Sequence, residues 1–309
     1  MTETAASRDP SDSAAARLWR TARAFAARAW RALGVGWDAA LSFNRHEGVV
    51  LAGYVAYAGL LAIFPFLIFA FAFAAATTGP AELEALVDLL FEFAPDEVAA
   101  ELEPVLRNVL AQRGGGGLLT FAGLAALWAS SSGVEAFRTA FDRAYEVETP
   151  RHVVLRRLIG LALVLVGAVS AAVLGFAVVL APLMMELAST YLGLDAPLGI
   201  GVLRYVIAVL ALTVFLYLMH LMLPSRPPRV LRLWPGIVAT IAIWTAAASA
   251  FSFYLALAPS FSATYGALSG VIVTLLFFFL SGAVIIYGAE INAALARREA
   301  EERSRGEEP

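Results

Sequence analysis

The sequence predicts an all-α protein, a polytopic membrane helical bundle with six transmembrane helices. Three observations predict this fold class: the composition, six long apolar stretches, and an alternating distribution of arginine. Of the 309 residues, 60% are hydrophobic and 15% are charged, whereas an ordinary soluble domain has roughly 45–50% apolar and about 25% charged residues. The net charge is −3 and cysteine is absent from the sequence, which excludes disulfides and cysteine-ligated metals.

Six stretches approach the length that a membrane crossing requires. A helix needs about 20 mainly apolar residues to cross roughly 30 Å of hydrocarbon. The second stretch is the weakest, because it is short and ends in three serines. The predicted spans are residues 49–76, 117–134, 158–181, 198–223, 234–258 and 268–294.

The arginines predict which side each connecting segment occupies. Four alternate segments, 1–48, 135–157, 224–233 and the tail after 294, hold 19 of the 22 arginines, and the intervening segments hold two. Basic residues stay preferentially on the cytoplasmic side. We therefore expect a multi-pass protein of the bacterial inner (cytoplasmic) membrane with both termini in the cytoplasm. Residues 1–30 do not resemble a cleavable signal peptide, so we expect the first span to direct insertion.

The spans are flanked by a basic arm and a charged tail. Residues 1–46 form the arm, 47–296 the membrane domain, and 297–309 a cytoplasmic tail that we expect to be disordered. Within the arm, residues 17–33 predict an amphipathic helix in the headgroup layer. Nucleic-acid binding by the arm is the less favoured alternative. The polar face of the helix would meet anionic lipid headgroups through Arg17, Arg20, Arg23, Arg28 and Arg31.

Residues 80–112 are the only sizeable segment on the predicted outer side. Leucine and valine recur there at helical spacing in two runs, and a second helix begins near Pro95. This pattern predicts a small helical extracytoplasmic cap. Eight acidic residues decorate the segment, and a solvated surface explains them better than a binding site does.

Several residues at membrane depth require an explanation. Pro65 predicts a kink in the first span, serving either packing or a cavity. Arg204 either reaches the outer interface, pairs with Asp195 or Glu186, or binds an anion. The other polar groups either line a cavity open to the cytoplasm or are ordinary interfacial residues. The candidate substrate path comprises Tyr57, Pro65, Ser131, Ser132, Glu135, Arg204, His220, Tyr265, Glu290 and Asn292.

Four sequence blocks resemble the YihY/BrkB family of bacterial inner-membrane proteins, some of which were formerly labelled ribonuclease BN. The resemblance covers roughly residues 44–296 and includes Asp142, where the family usually has asparagine, and Phe277-Phe278-Phe279, which replace a tryptophan-and-tyrosine pattern. It implies a six-span protein associated with envelope integrity, with serum resistance in pathogens and with lipid export. The blocks are FNRHEGVVLAGYVAYAGLLAIFPFL, ALWASSSGVEAFRTAFDRAYEVETPR, LPSRPPRVLRLWPG and FSFYLALAPSFSATYGALSGVIVTLLFFFLSGAVIIYGAEINAAL.

These observations favour a transporter or flippase-like protein for a lipid-like or amphipathic anionic substrate. The alternative is a non-transporting scaffold for envelope integrity, and an intramembrane enzyme or ribonuclease ranks last. The three histidines, His46, His152 and His220, are scattered and form no local metal-ligand motif. We therefore expect no catalytic residue, cofactor, metal or nucleic-acid partner. The sequence has no P-loop motif, so transport would be passive or use a gradient.

Overall fold

The computed structural model describes residues 14–77, 116–148, 151–175, 177, 189, 198–225, 233–257 and 268–306. Within these ranges the regular secondary structure is helical, which confirms the all-α class. Seven helices occupy the described part of the chain: α1 (Ala14–Arg45), α2 (Gly48–Thr77), α3 (Gly116–Ala144), α4 (Val153–Gly175), α5 (Leu198–Met222), α6 (Trp234–Leu257) and α7 (Leu268–Gly306).

Four of the described helices are long and apolar enough to cross a membrane: Val153–Gly175, Val202–Met222, Trp234–Leu257 and Leu268–Arg305. Only 17–22% of the most apolar stretch of each is buried inside the protein, so most of this apolar surface requires a hydrocarbon environment. The first two predicted spans lie within α2 and α3, and a total of six spans stays a prediction.

Helix α7 is the centre of the bundle. It packs against α1, α2, α3 and α6, while α2 packs on α3 and α4 packs on α5. Small and branched apolar side chains form the contacts. Leu51 and Val55 of α2 meet Ile286 of α7, and Val35 of α1 meets Ile291.

Helices α1 and α2 meet at a sharp bend. The segments Trp30–Arg45 and Gly48–Ile63 are inclined by 70°, and Glu47 between them has a φ of 58°. The amide of Glu47 donates to the carbonyl of Asn44, and the Glu47 carbonyl accepts from Leu51. Glu47 therefore ends one helix and starts the next.

Two features differ from the sequence-based expectation. Helix α1 continues past residue 33 to Arg45, because Val35 and Ala39 find an apolar partner in α7. Helix α7 continues to Gly306, so most of the tail expected to be disordered is helical. Position 65 lies within α2, and the kink expected at Pro65 stays a prediction. The predicted cap at 80–112 lies outside the described residues.

Ends of the seven described helices meet at one end of the bundle, which we call the Arg-rich face. Ion pairs and hydrogen bonds join segments distant in sequence: Arg143 to Glu47 at 2.5 Å, and Arg297 to Glu146 at 3.3 Å. Arg151 bonds the carbonyl of Met222 at 2.8 Å, and Asn292 bonds the amide of Gly236 at 2.8 Å. The arginine-rich segments before α2, after α3 and at the end of α7 thus contact one another, and the fourth, after α5, contacts the second through Ser225, whose carbonyl accepts from Arg151.

Candidate functional site

The most buried charge at the Arg-rich face belongs to Glu290 of α7, which is fully buried. Its Oε1 lies 2.7 Å from Nδ1 of His46, the last residue before the α1–α2 bend. Its Oε2 lies 3.9 Å from Nη2 of Arg297. Glu146, just beyond α3, lies 3.8 Å from Nε2 of His46. We call His46, Glu146, Glu290 and Arg297 the His46–Glu290 cluster.

The cluster borders a polar cavity at the Arg-rich face. The cavity has a volume of about 670 Å³, and its walls include Ser42, Glu146, Arg297 and Arg298. Arg297 also donates to Ser42 Oγ at 2.9 Å, and Arg298 is paired with Asp38 of α1. Water in this cavity can therefore reach two members of the cluster.

Tyr145 lies beside the cluster, at the end of α3. Its hydroxyl is buried and makes no hydrogen bond to the described residues. Burial raises the pKa of Tyr145, with nearby Asn292 and Glu290 acting on it in opposite directions. Tyr145 is therefore neutral at physiological pH.

A second group of polar side chains caps the end of α5. Asp142 accepts hydrogen bonds from the amide and the hydroxyl of Ser225, at 2.6 and 2.9 Å. Arg151 donates to the carbonyls of Met222 and Ser225, and buried Arg138 donates to the carbonyl of Leu223 at 3.3 Å. Burial lowers the pKa of Arg138, while Asp142 acts against that shift. The cap uses Asp142 only as an acceptor, a role that suits a carboxylate.

Asn292 caps α6 from the neighbouring helix. Its Oδ1 accepts from the amide of Gly236 at 2.8 Å, and its Nδ2 donates to the carbonyl of Leu233 at 3.0 Å. The first amides of a helix have no partner within that helix, and Pro235 contributes no donor. Asn292 therefore has a structural role, although the sequence nominates it for a substrate path.

The other candidate substrate-path residues near the Arg-rich face lie in different environments. Ser131 is buried and donates to the carbonyl of Trp128 within its own helix, and Ser132 is exposed. Glu135 pairs with Arg138 and Arg156. His220 is fully buried, donates from Nδ1 to the carbonyl of Leu216, and packs edge-on against Phe141. The structure thus does not gather all of them around one polar cavity.

Arg204 lies far from this group. It stands 16 residues before His220 on α5, which is about 24 Å along the helix at 1.5 Å per residue. Its Nη2 donates to the hydroxyl of Tyr205 at 3.1 Å, whereas Asp195 and Glu186 are outside the described residues. Tyr57 is exposed on α2; the side chain of Pro65 and all of Tyr265 are also outside the described residues.

An apolar cavity lies between five helices, and we call it the central cavity. It has a volume of about 350 Å³, and residues of α2, α3, α4, α5 and α7 line it. Glycines line it: a Cβ on Gly59 would make an ordinary contact with Phe278 at 3.5 Å, whereas one on Gly167 would lie tightly against Phe215 at 3.2 Å. Arg156 precedes the lining residue Leu163 by two turns of α4, about 10.5 Å. A charged group therefore stands on the same helix face, toward the Arg-rich face.

Sequence reasoning missed the polar contacts that several residues of the Arg-rich face make with their partners, namely His46, Glu146, Arg297, Asp142 and Arg151. The sequence analysis treats His46 only as a scattered histidine and Arg297 only as a sign of sidedness. The partners of His46 and Arg297 lie 244 and 151 residues away along the chain. No local spacing signals such pairs. Among the described residues, no group of His, Asp and Glu is arranged to hold a metal ion.

Comparison with known proteins gives one family. A family profile described as Virulence factor BrkB matches residues 39–309. A ribonuclease-like protein named YfkH from Bacillus subtilis is 31% identical over 258 residues, covering 83% of this chain and 93% of that protein.

Two longer relatives are named only as UPF0761 membrane proteins. One, from Rhodospirillum centenum, is 29% identical and covers 85% of this chain and 58% of its own length. The other, from Alkalilimnicola ehrlichii, is also 29% identical, with coverages of 82% and 56%. The chain thus spans a little over half the length of these two relatives. No solved structure matches it.

Proposed function

This chain belongs to the family described as Virulence factor BrkB, and we propose that it moves a lipid-like or amphipathic anionic substrate across the bacterial inner membrane. It is an integral membrane protein, and the proposed activity needs no catalytic side chain. Alternating arginines favour six spans and two cytoplasmic termini. The meeting of the arginine-bearing helix ends at one face of the bundle supports that arrangement.

The central cavity is the observation that carries the proposal. Its volume of about 350 Å³ lies in the range of roughly 300–1,000 Å³ that small-molecule sites occupy. Its walls are apolar side chains and glycines such as Gly59, Gly133 and Gly167. An acyl chain matches such a lining, because it offers no polar group that would need a partner.

A polar end for the substrate is available toward the Arg-rich face. Arg156 is partly exposed and pairs with Glu135, which directly follows the cavity residue Val134. An anionic headgroup could replace the Glu135 carboxylate on this guanidinium, since arginine binds carboxylates and phosphates with the same planar fork of donors.

We also propose that α1 lies in the headgroup layer. It is inclined by 70° to α2, and its face away from α7 carries the exposed side chains Trp30, Leu33 and Trp37. Tryptophan is enriched at membrane interfaces. The arginines nominated from the sequence would then meet anionic lipid.

A matched pair of glycine variants on α2 tests the transport proposal. Gly59→Leu would fill the central cavity, whereas a Cβ on Gly53 meets no atom within 4 Å. Purified protein in liposomes should accelerate the movement of a fluorescent anionic phospholipid between leaflets. We expect Gly59→Leu to slow this movement about tenfold or more, or about 1.4 kcal/mol in barrier height, and Gly53→Leu to preserve it.

Equal rates in liposomes with wild-type protein, with Gly59→Leu and without protein would reject transport of that lipid. A scaffold is then the second candidate. It is favoured by the observation that Asp142 and Asn292 serve to cap helices, as expected of a rigid bundle. The scaffold proposal expects Gly59→Leu to leave an envelope-integrity phenotype unchanged.

A further inference from the structure

The buried carboxyl group of Glu290 has no role in the proposed substrate path. Oε1 accepts a hydrogen bond from Nδ1 of His46 at 2.7 Å. Oε2 is buried without a hydrogen-bond partner, 3.9 Å from Nη2 of Arg297. A buried carboxylate oxygen that lacks a donor is costly, and adding a proton to it lowers that cost because the buried group is then uncharged.

The charges that face Glu290 do not balance without a proton. His46 faces it from α1, Tyr145 and Glu146 from the end of α3, and Arg297 from α7. Two carboxylates and one guanidinium leave a charge of −1 when His46 and Tyr145 are neutral. One proton, held on His46 or on Glu290, brings the cluster to neutrality, and a second makes it positive.

The geometry of His46 allows it to hold that first proton. Its two ring nitrogens face two different carboxylates, at 2.7 Å from Glu290 and 3.8 Å from Glu146. An imidazolium has a donor on each nitrogen, whereas a neutral ring has only one. Imidazole is also the side chain that ordinarily changes charge nearest to physiological pH.

The cluster joins a water-accessible cavity to the bend between α1 and α2. Glu146 and Arg297 line the polar cavity of about 670 Å³, which supplies a route for protons. His46 immediately precedes Glu47, whose φ of 58° forms the bend. Glu146 also has a positive φ, of 53°. Strained backbone of this kind recurs at switch regions.

We propose that His46 and Glu290 form a proton-binding site, reached from the Arg-rich face, whose occupancy sets the angle between α1 and α2. At high pH, the Glu290 carboxylate holds His46 and thereby the end of α1 against α7. At low pH, a proton from water in the cavity binds Glu290 Oε2, the negative charge that strengthens the hydrogen bond to His46 is lost, and α1 is released. This inference rests on the proposed function and deepens it, because proton binding at this site would allow a proton gradient to drive the proposed transport.

Infrared difference spectroscopy tests the site with no substrate present, so its result does not depend on transport. The protein in lipid nanodiscs is compared between about pH 5 and about pH 8. We expect the C=O stretching band of a protonated carboxyl group at low pH. The band should disappear in Glu290→Gln and persist in Glu302→Gln, which removes an exposed carboxylate from the same helix.

A second variant keeps the test decisive if Glu290→Gln fails to fold. His46→Gln retains the carboxyl group and a hydrogen-bond donor but removes the neighbouring positive charge. We expect its carboxyl band to develop at a pH higher by about one unit or more, the usual effect of losing a nearby opposite charge. An unchanged titration of the band would overturn the assignment to this pair.

The bend is measured by pulsed electron paramagnetic resonance. Spin labels are placed on Leu33→Cys of α1 and Leu61→Cys of α2, both exposed, in a chain that has no other cysteine. We expect the interlabel distance to differ between low and high pH. The Glu290→Gln variant, whose side chain is uncharged, should show the low-pH distance at both pH values. A missing carboxyl band in the wild-type protein, or a pH-dependent distance that persists in Glu290→Gln, would overturn the proposal.

Discussion

At the scale of the residue, two glutamates occupy backbone conformations that usually belong to glycine. Glu146 follows α3 with a φ of 53°. The amide of Val147 bonds the carbonyl of Asp142, and the amide of Glu146 bonds that of Arg143, the two bonds that define a Schellman end. Glycine at this position would avoid the cost of the left-handed conformation. The carboxylate of Glu146 instead reaches Arg297 and His46.

Replacing Glu146 separates backbone strain from charge. Glu146→Gly and Glu146→Ala remove the same carboxylate, but only glycine relieves the left-handed backbone. We expect the glycine variant to have a free energy of unfolding about 1 kcal/mol higher than that of the alanine variant. Denaturant unfolding in detergent measures this difference. If the two variants are equally stable, the turn is not strained by its side chain.

At the scale of the element, the crossing of α6 and α7 depends on two glycines. A Cβ on Gly288 would overlap the hydroxyl of Thr240 and lie 3.0 Å from the carbonyl of Gly236. Small residues allow two helices to approach closely within a membrane. The same close approach brings Asn292 to the amides at the start of α6, so the helix cap and the crossing depend on each other.

Two alanine substitutions on α7 test the crossing. Gly288→Ala should lower the free energy of unfolding by about 1–3 kcal/mol, the usual cost of overpacking. Gly270→Ala provides the control, because its Cβ meets no atom within 4 Å, and it should be neutral or stabilising by up to about 1 kcal/mol. Thermal unfolding in detergent measures the stability of both variants. Equal stability of the two variants would contradict a tight α6–α7 contact.

At the scale of the whole molecule, the proposed sidedness rests on where the arginines gather. Ion pairs join the helix ends at the Arg-rich face: Arg143 pairs with Glu47, and Arg297 pairs with Glu146. These charged side chains are 30–61% exposed at the end of the bundle, and moving charged groups across a membrane is unfavourable.

Single cysteines introduced into this cysteine-free chain test sidedness and the position of α1 together. We expect a membrane-impermeant maleimide to label Glu302→Cys only from the cytoplasmic side, and Gly115→Cys only from the opposite side. On α1, Arg31→Cys should react faster than Trp37→Cys, which lies about 120° away around the helix and would be shielded by headgroups. Labelling of positions 302 and 115 from one side would require a different topology.

Much of the fold could be predicted from the sequence, because hydrophobic length and the distribution of arginine are local properties of the chain. Helices α4 to α7 cover most of the four later predicted spans, although the span predicted at 158–181 extends past α4, which ends at Gly175. The candidate site was harder to predict. Glu290 and Asn292 were nominated together, yet Asn292 caps α6 and only Glu290 enters a charged cluster. Neighbours two residues apart on a helix face different directions, and their partners determine their roles.

The sequence by itself determined that this protein is a helical membrane protein, since 60% of its residues are hydrophobic and only 15% are charged, and its apolar stretches are long enough to cross a bilayer. Only the tertiary structure decided which polar side chains meet. His46 reaches Glu290 across 244 positions of sequence, and α1 continues to Arg45 because α7 offers it an apolar surface. Such contacts depend on how helices cross in three dimensions, and no local pattern in the chain specifies the crossing.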